Sequence, residues 1–156
     1  MKILKKILVA LLLVLIVMQF FRPKKNQSDV VPATDFLAVT NPTPEVQSLV
    51  KNACYDCHSN HTRYPWYSEV APFSYIIAEH IKDGKKHLNF SEWDNYSTKK
   101  KAHKLEEFVE EVEEAHMPLD SYTWLHKDAK LSQEQITKLT NWVKDVHFIY
   151  QLGDSQ

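Results

Sequence analysis

The sequence predicts a mainly α-helical protein, a small helical domain behind an N-terminal membrane helix. Three observations carry that prediction. Residues 7–18 are twelve consecutive apolar positions, four later stretches place apolar residues at three- and four-residue spacing, and no alternating run is long enough for a strand. A chain of 156 residues, 44% hydrophobic and 25% charged, fits one such domain plus an additional segment.

The first element, Ile7 to Met18 with Phe20 and Phe21 beyond it, follows Lys2, Lys5 and Lys6 and is apolar all round. It reads as a signal or membrane anchor over 1–21 rather than a core helix. Gln19-Phe20-Phe21-Arg22-Pro23 offers no small-x-small cleavage site, so an uncleaved anchor is expected. Residues 22–42 are polar and proline-rich, with Pro23, Pro32 and Pro42, and read as an extended tether. The domain proper is expected over 43–150, with a short tail over 151–156.

Thr43 as N-cap and Pro44 at the first helical position open a helix carrying Val46, Leu49, Val50 and Ala53 on one face. A second helix is expected from Pro72, burying Phe73, Ile76, Ile77 and Ile81 and stopping near Gly84, with His80 on the same stripe. Phe90-Ser91-Glu92-Trp93 reads as a capped turn. A third helix places Leu105, Phe108, Val109 and Val112 on one face. Lysines 99, 100, 101 and 104 crowd its start and six glutamates its end, against the helix dipole. The last helix opens with a Ser132-x-x-Gln135 capping box and turns Ile136, Leu139, Trp142, Val143 and Val146 inward.

Composition excludes several functions. Two glycines in the whole chain cannot build a glycine-rich phosphate loop. The net charge of −1 hides an asymmetry: residues 1–25 hold six basic groups and no acid, leaving 13 Lys and Arg against 20 Asp and Glu, or −7, over 26–156. A domain so acidic is a poor partner for nucleic acid.

Both cysteines fall in Cys54-Tyr55-Asp56-Cys57-His58. In Cys-x-x-Cys-His the thiols stand one helical turn apart, where each can add across a haem vinyl group while the adjacent histidine reaches the iron. At this chain's composition a chance match has odds of roughly one in a thousand. A thioredoxin-like pair, a zinc site with two distant histidines and a small-loop disulfide compete with this reading. One covalent haem c is expected, with Cys54 and Cys57 as attachment points and His58 as proximal ligand. Attachment of this kind is generally made outside the cytoplasm. The domain is therefore expected on the periplasmic or exterior side of a bacterial inner membrane, held by a single pass.

For the other face of the iron the sequence offers Met117, in the non-helical His116-Met117-Pro118-Leu119 stretch ahead of the last helix, and as a second choice His80. The remaining histidines, His126 among them, read as surface residues. No catalytic acid or base is required, and a one-electron carrier serving redox partner proteins is the expected function. The alternative is a haem enzyme or a gas or redox sensor with an open or displaceable distal position.

From about Val46 to Val146 the chain resembles the small c-type haem-binding domain family found in many bacterial membrane-anchored or exported proteins. More distantly it resembles class I cytochromes c. The resemblance rests on Cys54-Tyr55-Asp56-Cys57-His58-Ser59-Asn60, Tyr64-Pro65-Trp66-Tyr67 with Ala71-Pro72, Leu88 to Trp93, Met117-Pro118 and Leu125 to Ser132. It implies a cytochrome c-like helical domain with haem on Cys54 and Cys57, His58 as proximal ligand and Met117 as sixth ligand. The segment from Asn60 to Lys104 departs from the class I pattern.

Overall fold

The computed structural model describes residues 2–153. Eight α-helices follow one another there, with 3-10 turns at Trp66–Glu69, Phe90–Asn95 and Lys127–Ala129. Extended pairing among the described residues is a single isolated bridge between Gln27 and His61.

Helix α1 (Lys2–Met18) has no buried residue. Its 17 residues rise about 25 Å against a hydrocarbon core of about 30 Å. Among the described residues no helix is long and apolar enough to cross a membrane.

The 22–42 stretch is not an extended tether. Helix α2 (Phe36–Thr40) forms inside it, capped by Asp35, whose Oδ1 accepts the Leu37 N–H at 3.0 Å. Phe36 is fully buried, stacked on Phe90 at 5.1 Å and edge-on to Trp93. Two neighbouring apolar side chains inside a polar stretch had a core to enter, and their burial outweighs the prolines around them.

Helix α3 (Pro44–Ala53) starts as its caps predict, with the Val46 N–H donated to Thr43 Oγ1, and buries Val46, Leu49, Val50 and Ala53. Helix α4 (Tyr55–His58) is a single turn. Helix α5 (Phe73–His87) departs from expectation: only Ser74 and Ile81 are buried, Phe73 and Ile76 are about half exposed, and His80 faces solvent. It also runs through Gly84. The stop signal loses because that glycine serves packing, as described below.

The centre of the molecule is the antiparallel-type pairing of α6 (Thr98–Glu113) with α8 (Gln133–Gly153), the most extensive helix contact in the fold. Leu105, Phe108 and Val112 of α6 meet Leu139, Val143 and Val146 of α8, with Trp93 and Phe90 closing the cluster. The adverse charge order of α6 is offset from outside: Glu113 pairs with Lys144 at 2.6 Å, and Lys101, almost buried, donates to Asp94 at 2.6 Å. The capping box of α8 forms in both directions, at 2.8 and 3.2 Å. Helix α8 continues beyond the expected domain end at 150 to Gly153; residues 154–156 of the expected tail lie outside the described residues. Helix α7 (Asp120–Leu125) sits in the loop between α6 and α8.

Candidate haem site

The cysteine motif is a helical turn pinned from behind. Cys54 ends α3, donating its N–H to Val50 at 3.0 Å, and its carbonyl accepts the N–H groups of Cys57 and His58 at 3.2 and 3.0 Å. Residues three and four apart share a helix face, so Cys54, Cys57 and His58 stand together while Tyr55 and Asp56 turn the other way into the protein.

Each inward residue is locked. Tyr55 donates its hydroxyl to Asp35 Oδ1 at 2.7 Å. Asp56, 4% exposed, accepts the Arg63 backbone N–H at 2.8 Å, the Arg63 guanidinium at 3.2 Å and the Tyr122 hydroxyl at 2.6 Å. Thr62 donates to the Asp56 carbonyl at 2.6 Å, and Ser59 to the Tyr55 carbonyl at 2.8 Å. A buried carboxylate is tolerated when hydrogen-bonded and paired in this manner. The network therefore fixes the turn without using the side chains of Cys54, Cys57 and His58.

Those three are the candidate donors. Both thiols are free. Burial, with the neighbouring Cys57, pushes Cys54 up to about 12, and burial, with the Asp56 charge, pushes Cys57 up to about 11. They are neutral thiols at physiological pH. Burial holds the His58 imidazole below its usual range against the opposing pull of the Leu88 and Gly84 carbonyls, so it is neutral too. A carbonyl oxygen only accepts, so the 3.1 Å bond between His58 Nδ1 and Leu88 O requires the proton on Nδ1. The lone pair is thereby placed on Nε2, the tautomer an iron ligand needs.

Gly84 makes this geometry reachable. A Cβ there would lie 2.7 Å from the Cys57 carbonyl oxygen, so α5 approaches α4 more closely than any other residue permits. That approach brings the α5 carboxyl end, with Gly84 and Leu88, against the histidine.

Met117 is half-buried after α6, donating its N–H to Glu111 at 2.9 Å, and packs against the same apolar cluster as Cys54 and Leu88. His80, exposed rather than on a buried stripe, shares a small cavity of about 50 Å³ with Cys57. His126 lines that cavity too and corrects its reading as a surface residue: it is half-buried, stacked on Tyr122 at 4.2 Å and bonded to Tyr67 at 2.6 Å. Asp56, Arg63, Tyr122 and Leu88 also escape motif reading, because their roles depend on contacts between distant parts of the chain. A cavity of about 540 Å³ on the Tyr55 and Asp56 side of α4 holds neither thiol nor His58.

A covalently held haem would need two unpaired thiols one turn apart, a neutral imidazole protonated on Nδ1 and apolar packing beside them, and the residues present have that chemistry. The competing readings find less. No group of three or more His, Cys, Asp or Glu is gathered for a metal ion among the described residues, so a zinc site lacks its third and fourth ligands there. A βαβ setting for a thioredoxin-like pair is likewise missing among them.

A family model described as a haem-binding domain matches residues 13–145. No match was found among curated proteins or among solved structures.

Proposed function

Because the chain belongs to the haem-binding domain family, we propose that it is a membrane-attached one-electron carrier holding one haem c through Cys54 and Cys57. The observation that supports this most is the His58 Nδ1–H bond to Leu88, which leaves Nε2 as the only lone pair the imidazole has to offer. Haem held there supplies an Fe(III)/Fe(II) couple. Everything else is done by the chain: Leu88 fixes the imidazole, Asp56, Arg63 and Tyr122 fix the turn, and Met117, in the α6–α7 loop, would supply a thioether to the iron.

Attachment to the membrane is read from α1, whose apolar residues are exposed on all sides, with Lys2, Lys5 and Lys6 able to reach headgroups as the helix inserts. The side is read from the chemistry instead: thioether attachment is generally made outside the cytoplasm, which puts the domain on the periplasmic or exterior face. An electron carrier needs saturated coordination and reversible redox change. The test is the absorption spectrum of protein from a host with haem-attachment machinery: low-spin spectra that interconvert reversibly on reduction and reoxidation are expected. Rapid carbon monoxide binding without ligand displacement would overturn the carrier in favour of a sensor or enzyme with an open distal position.

A further inference from the structure

The chain after α1 does not leave the membrane end of that helix freely. Gln19, the first residue beyond α1, brackets Ala71: its Oε1 accepts the Ala71 N–H at 3.0 Å and its Nε2 donates to the Ala71 carbonyl at 3.3 Å. Glu69 is held by Arg22 at 3.1 Å and by Lys25. Tyr75 donates its hydroxyl to the Phe21 carbonyl. Residues 69–75 are thus fastened at three points to residues 19–25.

The chain in and on either side of that fastened segment exposes large apolar side chains. Trp66 is 81% exposed, and Val70, Phe73 and Ile76 are between 43 and 49% exposed, beside Phe20 and Phe21 at 80 and 69%. Large apolar side chains exposed this close together along residues 66–76 make a candidate interaction site. The cations Arg22 and Lys25 stand next to it.

We propose that the face formed by Trp66, Val70, Phe73 and Ile76 rests in the lipid interface beside the end of α1, seating the domain on the membrane in one orientation. The proposal rests on the membrane attachment proposed above. Lipid is the occupant because the face continues from a helix that is itself apolar all round. Its composition, aromatic and aliphatic tips next to cations, is the one the headgroup region favours. The bonds to Gln19 and Glu69 hold it at the depth where α1 ends.

The experiment uses the full-length haem-loaded protein in vesicles of phosphatidylcholine and phosphatidylglycerol containing a clickable lipid. Photoreactive benzoylphenylalanine is placed in turn at Trp66, at Phe73 and, as control, at Glu106, which is exposed on the polar side of α6. Flotation of all three with the vesicles, with lipid adducts at 66 and 73 and none at 106, is expected. Flotation without adducts at 66 and 73 overturns the seated face while leaving attachment intact. Protein–protein adducts at 66 in place of lipid adducts assign the face to a partner or a second copy and also overturn it. Failure to float overturns membrane attachment itself, and the seated face with it.

Discussion

Gly84→Ala is the sharpest test of how the histidine is positioned. In an ordinary helix interior this change is favourable by about 1 kcal/mol, since glycine has the poorer helix propensity. Here the new Cβ would meet the Cys57 carbonyl oxygen at 2.7 Å, the carbonyl carbon at 3.1 Å and Cys57 Cβ at 3.2 Å, whereas ordinary contact begins at 3.4 Å. The obstacle is backbone, so no side chain can swing aside, and α5 must retreat by about 0.7 Å. Overpacking of this kind costs about 1–3 kcal/mol, which outweighs the propensity gain and leaves the variant about 1 kcal/mol less stable. For a domain of this size that lowers Tm by about 3 °C. A retreat of that size, carried along α5 to Leu88, weakens the 3.1 Å His58–Leu88 bond and lengthens it to about 3.8 Å at most. Urea denaturation gives the stability, and the iron–imidazole stretching frequency, read in the reduced Met117→Ala background where the iron is left with His58 alone, reports the His58 bond. A more stable Gly84→Ala protein with an unchanged frequency would refute the close approach of α5 to α4 and the orientation argued from it.

Met117→Ala should lose low-spin character while keeping its haem, and His80→Ala should lose neither; the paired spectra check both assignments. Tyr122→Phe removes the 2.6 Å hydrogen bond to buried Asp56 and should cost about 1.5–3 kcal/mol in urea unfolding, more than an exposed tyrosine would. Phe36→Ala should cost about 3–5 kcal/mol in the same assay, because the side chain is fully buried. A free tether at that position would show no change.

The parts of the fold that were legible in the sequence are those governed by neighbours along the chain. Thr43 with Pro44 and Ser132 with Gln135 cap the helices they were expected to cap, since a cap needs only the next three residues. The inward faces of α3, α6 and α8 follow from spacing alone. Gly84 was misread because the same residue type ends helices and permits close approach, and only the position of Cys57 decides between the two. Phe36 was hidden by the prolines around it. The order of its contacts, with Phe90, Trp93 and Trp142, is set by tertiary structure rather than by local pattern. At the candidate site, Cys54, Cys57 and His58 are proposed from their spacing alone. Their supports do not: Leu88 acts through its backbone carbonyl, which any residue provides, and His126 enters through Tyr67 and Tyr122 from distant segments.

Covalent attachment of haem through Cys54 and Cys57 is the central claim, and a haem spectrum of the denatured polypeptide tests it most directly. The protein is expressed with haem-attachment machinery, unfolded, and separated from small molecules. The wild type should carry its haem absorbance with the chain, and Cys54→Ala combined with Cys57→Ala should lose it entirely. Haem that leaves the unfolded wild type, or that stays with the double variant, would contradict the account.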